Sequence, residues 1–232
     1  MKGSLFLIPV PLGSSDFESV IPQSVIETTK KLRIFIVEEL RSARRYLRLI
    51  DKEFPIDNCI FFILNEHTPA GEISDYLNPA LGGSDIGLLS EAGLPCLADP
   101  GSGIVAIAHT LGIRVIPLPG PSSIILALIS SGMNGQNFTF NGYLPAKPSE
   151  RISKIRDIEK RASEGTAQIF METPYRNQKI LESLLEICRN DTRLCIATDI
   201  TLPQESIRTM RISEWKKQIP ELKDKLAVFV LQ

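Results

Sequence analysis

Five short apolar segments, at residues 4–10, 34–37, 60–64, 85–89 and 114–118, constrain the fold of this chain more than any other feature. None shows the strict alternation that a half-exposed strand requires, so each reads as a strand covered on both faces. Twenty or more residues separate each from the next, room for a helix in every connection. Buried strands joined by helical connections make a parallel sheet. The connection at 102–111 carries Ile104, Val105, Ile107, Ala108 and Leu111 at helical spacing, with Gly112 at the expected cap position.

The pattern shifts after Gly132. Residues 138–143 read as a strand, followed by a charged helix at 149–163, a strand at 167–172, a helix at 177–189 and a strand at 193–198. A helix at 212–218 and a strand at 225–231 complete the series. A second α/β domain therefore begins near residue 118, giving domains at 1–117 and 118–232. The helix at 121–131 is apolar almost all round and is expected to be buried.

With 43% hydrophobic residues among 232, the chain has material for two modest cores. A formal net charge of −1 excludes a uniformly basic nucleic-acid coat. No apolar run approaches the roughly 18 residues that cross a bilayer, and Pro9 interrupts the first one too early for a signal peptide. Cys59, Cys96, Cys188 and Cys195 form no C-x-x-C pair, the pattern of reduced thiols in a cytoplasm. With His67 and His109 the only imidazoles, no His/Cys metal site is expected, and His109 is read as packing.

Two loops at the carboxyl ends of these strands concentrate Gly, Pro and small polar residues: residues 90–101 and 117–123. Ligands of open α/β sheets bind at that edge. Neither loop is a dinucleotide fingerprint or a P-loop, so a phosphate-poor ligand fits better. Nor does Gly101-Ser102-Gly103 have nucleophile-elbow spacing.

Five segments in order resemble the signature of the tetrapyrrole methylase superfamily. They are Pro9-Val10-Pro11-Leu12-Gly13; Ser90-Glu91-Ala92-Gly93-Leu94-Pro95 through Asp99-Pro100-Gly101; Pro117-Leu118-Pro119-Gly120-Pro121-Ser122; Gly142-Tyr143-Leu144-Pro145; and Glu172-Thr173-Pro174-Tyr175-Arg176. The branch most resembled is that of the 16S ribosomal RNA 2'-O-ribose methyltransferases. The resemblance implies a two-domain α/β fold, with a parallel-sheet N-terminal domain, a mixed-sheet C-terminal domain and S-adenosylmethionine (SAM) in the cleft between them, and a homodimer. Carried over position by position, it implies SAM contacts at Pro9, Glu91, Ala92, Gly93, Ala98, Asp99 and Ser122, and at the backbone near Tyr143 and Leu144. The chain departs from the branch on the acceptor side. Glu38-Glu39-Leu40-Arg41 replaces E-D-T-R, Asn65-Glu66-His67-Thr68 replaces H-E-H-N, and residues 197–206 lack an Arg, a Lys and a His of the branch pattern.

A hydroxyl acceptor needs a group to take its proton. Glu38 and Glu39, at the exit of a strand, are the candidates, although either would also serve as a helix cap. Arg41, Arg44 and Arg48 share one helix face, within a stretch where seven Lys or Arg face two Glu. That face either contacts RNA phosphates or is simply solvated. Three readings stay open: RNA ribose methylation, methylation of a tetrapyrrole or other small molecule, and a non-catalytic SAM-binding module.

Overall fold

The computed structural model describes residues 1–232 apart from Ser14, Ser15, Glu66 and Ala70. Glu66, singled out among the acceptor-side departures, thus lies outside the described residues. The chain divides into two compact units, Met1–Ser122 and Ser123–Gln232.

The first unit is a five-stranded sheet of β1 (Ser4–Ile8), β2 (Ile34–Val37), β3 (Ile60–Ile63), β4 (Ile86–Leu89) and β5 (Arg114–Pro117). All pairings are parallel, in the order β3-β2-β4-β1-β5. Helices α1 (Gln23–Lys31), α2 (Leu40–Ile50), α3 (Asn78–Leu81) and α4 (Ser102–Thr110) fill the connections. In α2 the apolar residues Ala43, Tyr46, Leu47 and Ile50 recur every three or four positions. They pack with Val25 and Ile26 of α1 against Ile8, Phe35, Val37 and Leu89 on one face of the sheet. The other face, with Leu5, Ile36, Ile86 and Leu88, takes Ile104 and Ala108 of α4 with Leu77 and Ala80. Burial on both faces is why the inner strands β2, β4 and β1 lack alternation. The edge strands depart from that expectation, β3 leaving Ile60 and Ile63 exposed and β5 leaving Arg114 and Pro117 exposed, because each has a neighbour on one side only. His109, expected to pack, is exposed, because Ile104 and Ala108, one turn apart, set the buried stripe of α4 and His109 falls outside it.

The second unit comprises α5 (Ser123–Ser131), β6 (Phe138–Tyr143), α6 (Pro148–Ser163), β7 (Ala167–Glu172), α7 (Asn177–Ile187), β8 (Arg193–Thr198), β9 (Ser206–Arg211), α8 (Ile212–Trp215) and β10 (Ala227–Leu231). Its sheet order is β6-β7-β10-β8-β9. Only β6 and β7 run parallel, and β10 is antiparallel to both its neighbours. Helices α6, α7 and α8 enclose the core around Phe170, Phe229 and Trp215 on one face, and α5 packs on the strands. Contrary to expectation α5 is not buried all round: Ile124, Ala127 and Leu128 face the sheet, while Ile125 and Ile129 are exposed. Strand β9 has no counterpart in the sequence reading. It is a half-exposed edge strand whose apolar residues are few, so hydrophobic pattern alone does not mark it.

Candidate active site

After β2 the chain leaves toward the β3 edge of the sheet; after β4 it leaves toward β5. These strands are neighbours, and the helices that follow them, α2 and α4, lie on opposite faces. Their carboxyl ends therefore form a topological switch point, where open α/β sheets have their crevice. A small pocket there is lined by Glu38, Leu64, Leu88, Ser90, Asp99 and Gly101, with no lysine or arginine among the described residues of its wall.

Three loops are fastened together around this edge. Gly93 pairs with Val10 in an isolated bridge, each N–H donating to the other's carbonyl at 2.9 and 3.1 Å. Gly93 has φ +72°, and a Cβ there would stand 3.1 Å from Leu12 and 3.3 Å from the Pro121 carbonyl oxygen. A Cβ on Gly120 would stand 2.2 Å from Cβ of Pro9. Pro9, Gly93, Gly120 and Pro121 thus hold the β1, β4 and β5 exits at backbone contact distance, which a side chain would prevent. Gly93, which the resemblance implies is a SAM contact, is required first by the chain's own turn. The Asp99 carboxylate accepts N–H bonds from Cys96 (2.9 Å) and Gly101 (2.8 Å) and closes the loop on itself. Inside that loop Cys96 and Ala98 take positive φ without being glycine.

The structure separates the two candidate bases. Glu39 is the N-cap of α2, its carboxylate accepting from the backbone N–H groups of Arg41 (2.7 Å) and Ser42 (2.5 Å). Those bonds hold its pKa below the ordinary carboxylate value. Glu38 instead faces the pocket. Burial pushes its pKa up, the carboxylates of Glu91 and Asp99 push it further, and an N–H bond from the Glu91 backbone pulls the other way. On α2, Arg41, Arg44 and Arg48 are exposed opposite the buried face. Arg44 lies over the Phe61 ring at 5.6 Å and Arg48 donates to the Lys52 carbonyl at 2.5 Å.

In the second unit, Tyr143 and Leu144 stand at the exit of β6. Both backbone polar groups of Leu144 are already engaged: its N–H donates to Glu172 (3.0 Å) and its carbonyl accepts from Arg176 (2.9 Å). Glu172 and Arg176 form an ion pair at 3.2 Å, the Glu172 side chain fully buried. At the same end of the sheet, Asp199 and Thr201 after β8 and Asp224 before β10 take positive φ. Together with Cys96 and Ala98 these are all the non-glycine residues with positive φ among the described ones. Such strain costs of order 1 kcal/mol or more per residue and gathers at functional sites. The same edge holds three buried side-chain oxygens without hydrogen-bond partners, Oγ1 of Thr173, Oδ1 of Asn177 and Oγ1 of Thr201. Nothing in their spacing announces them; only the signature segment at 172–176 hinted at the place.

Residues 25–216 match the family model described as Tetrapyrrole (Corrin/Porphyrin) Methylases. A Pseudomonas aeruginosa protein named ribosomal RNA small subunit methyltransferase I is 30% identical over 212 residues, covering 91% of this chain and 71% of its own length. The protein of the same name from Escherichia coli O157:H7 is 30% identical over 94% of this chain and 73% of its own. The crystal structure of the methyltransferase CobJ aligns over 99% of this chain and 93% of that one, with a TM-score of 0.64 at 17% sequence identity.

Proposed function

We propose a methyl acceptor from one established premise: the chain belongs to the tetrapyrrole methylase family and is a SAM-dependent methyltransferase. The acceptor is a ribose 2'-hydroxyl of ribosomal RNA, and the observation that carries this reading is the set of relatives named for that RNA at about 30% identity along nearly the whole chain. When bound, SAM supplies an electrophilic methyl group on a cationic sulfonium. The switch point of the first unit suits the cationic sulfonium end of such a ligand, because the described residues around its small pocket supply carboxylates, a hydroxyl and apolar side chains and no lysine or arginine. Pro9, Glu91, Ala92, Gly93, Ala98, Asp99 and Ser122 are proposed to hold the cofactor in this unit.

Glu38 is proposed as the group that accepts the hydroxyl proton. It stands at the switch point, is not consumed by capping, and has a raised pKa, which makes it a stronger base than an ordinary carboxylate. Arg41 is the proposed anchor for the acceptor's backbone phosphates, with Arg44 and Arg48 supporting it from the same helix face. The exposed Ile125 and Ile129 of α5 suit a second copy of the chain, and light scattering at low micromolar concentration tests the dimer.

The deciding experiment incubates the protein and methyl-labelled SAM with an extract of cells lacking it, then separates RNA, protein and small molecules. Label in ribosomal RNA, retained in a dinucleotide that resists alkaline hydrolysis, is expected, because a 2'-O-methyl group removes the nucleophile of that cleavage. Label confined to the low-mass fraction would replace the RNA reading with a small-molecule acceptor.

A further inference from the structure

The chain has four tyrosines. Tyr46 is buried and Tyr76 half-buried, but Tyr143 is 52% and Tyr175 78% exposed. Leaving much of a large ring in water forfeits part of the gain that burial would bring. Both exposed rings belong to one construction. Tyr143 ends β6, and Leu144, the next residue, is gripped by Glu172 and Arg176 through its N–H and its carbonyl. Tyr175 immediately precedes Arg176, in the short 3-10 turn Pro174–Arg176, and the turn is tied at its far side by Asn177 donating to the Lys225 carbonyl at 2.7 Å. Strands β6 and β7 are neighbours, with Tyr143 opposite Met171. One buried ion pair therefore fixes the backbone that presents both rings, at adjacent strand exits.

We propose that Tyr143 and Tyr175 form a stacking platform for an unpaired base of the RNA substrate. The inference rests on the RNA reading above and adds a contact that selects single-stranded over paired acceptors. Rigid, exposed aromatic rings accept any base face, and stacking is the usual means of holding splayed-out bases. Beside the rings the sequence supplies three cations: Arg176 is held by Glu172, Lys147 is exposed and paired with Glu150 at 3.0 Å, and Lys179 is exposed. That setting suits a polyanion better than a second copy of this chain, whose apolar counterpart is on α5.

The test uses the full chain and an unstructured RNA of about 12 nucleotides, within the usual site size of single-strand binders, carrying the fluorescent base 2-aminopurine. The intact protein quenches the probe as it binds. Tyr175→Ala and Tyr143→Ala each weaken binding about 5- to 100-fold and relieve the quenching, while Tyr175→Trp retains both. Melting temperatures within a degree or so of the parent, and unchanged calorimetric binding of S-adenosylhomocysteine by Tyr175→Ala, place the loss in the RNA contact. Binding by the parent that survives the double alanine variant overturns the platform and leaves the RNA reading standing; so does a change of oligomeric state with RNA affinity intact. No binding by the parent to this RNA or to ribosomal RNA overturns both.

Discussion

The two units build the loops at their sheet edges by opposite means. In Met1–Ser122 the three exits are held together where side chains are absent, Gly93 against Leu12 and Pro121 and Gly120 against Pro9, with the one carboxylate of Asp99 gathering backbone N–H groups inside its own loop. In Ser123–Gln232 the work is done by side chains, through the Glu172–Arg176 pair and its hold on Leu144. A loop made by close backbone approach tolerates almost no added atom. One made by a buried ion pair tolerates bulk but fails when either charge is removed.

The sharpest break separates chemistry from scaffold within the first unit. Glu38→Gln keeps the shape of the pocket and is expected to lower the rate of methyl transfer about 10²- to 10⁴-fold, the usual contribution of a general base. Because the folded protein raises the pKa of Glu38, the carboxylate form opposes folding: its protonated form favours the native state below the unfolded pKa, and that contribution is lost as pH rises through the folded value. Glu38→Gln should thus match or exceed the parent in stability at neutral pH while losing activity, and the parent's rate should climb with pH through a value above the ordinary carboxylate range. A variant that loses activity and stability together would make Glu38 a structural residue.

Next in size is the second unit's ion pair. Glu172→Ala leaves a largely buried guanidinium without its partner and is expected to cost about 3–5 kcal/mol in urea unfolding. A loss under about 1 kcal/mol, the range of an exposed pair, would mean that Leu144 is held by something else. For the first unit the matching change is Gly120→Ala. One methyl group forced against Pro9 should cost about 1–3 kcal/mol by overpacking and should weaken SAM binding as the loop shifts, measured by calorimetry.

How much of this was open to sequence reading follows the same division. Glycine and proline advertise loops made by backbone contact, so the edge of the first unit was legible, and buried strands announced its sheet. That reading stopped short at Glu38 and Glu39. Two adjacent carboxylates at a strand exit look alike in sequence, and only the start of α2 decides that Glu39 faces the helix N–H groups and Glu38 the pocket. In the second unit the partnerless oxygens of Thr173 and Asn177 follow β7 and that of Thr201 follows β8; what sets them at one edge is the sheet order, which no local pattern encodes. Strand β9 escaped because an exposed edge has little hydrophobic pattern to show.

The smallest expected effect falls on Glu39. Glu39→Ala removes two N–H bonds at the start of α2 and should lower the melting temperature slightly, with no change in the rate of methyl transfer at saturating substrate. Because the cap lowers its pKa, its contribution is complete above the unfolded carboxylate value and disappears as pH falls through the folded one. Parent and variant should therefore converge in stability in acid. A rate loss as large as that of Glu38→Gln would return Glu39 to the chemistry.

Gly120 and Pro9 have a further consequence, for anyone seeking to redirect this enzyme to new acceptors. Since a side chain at 120 would occupy the space of the ring at 9, the two positions amount to a single engineering variable, and a library that randomises 120 alone will consist mainly of destabilised members. Diversity is better placed at Leu97, in the same group of loops but exposed, where a changed side chain meets solvent before it meets the scaffold.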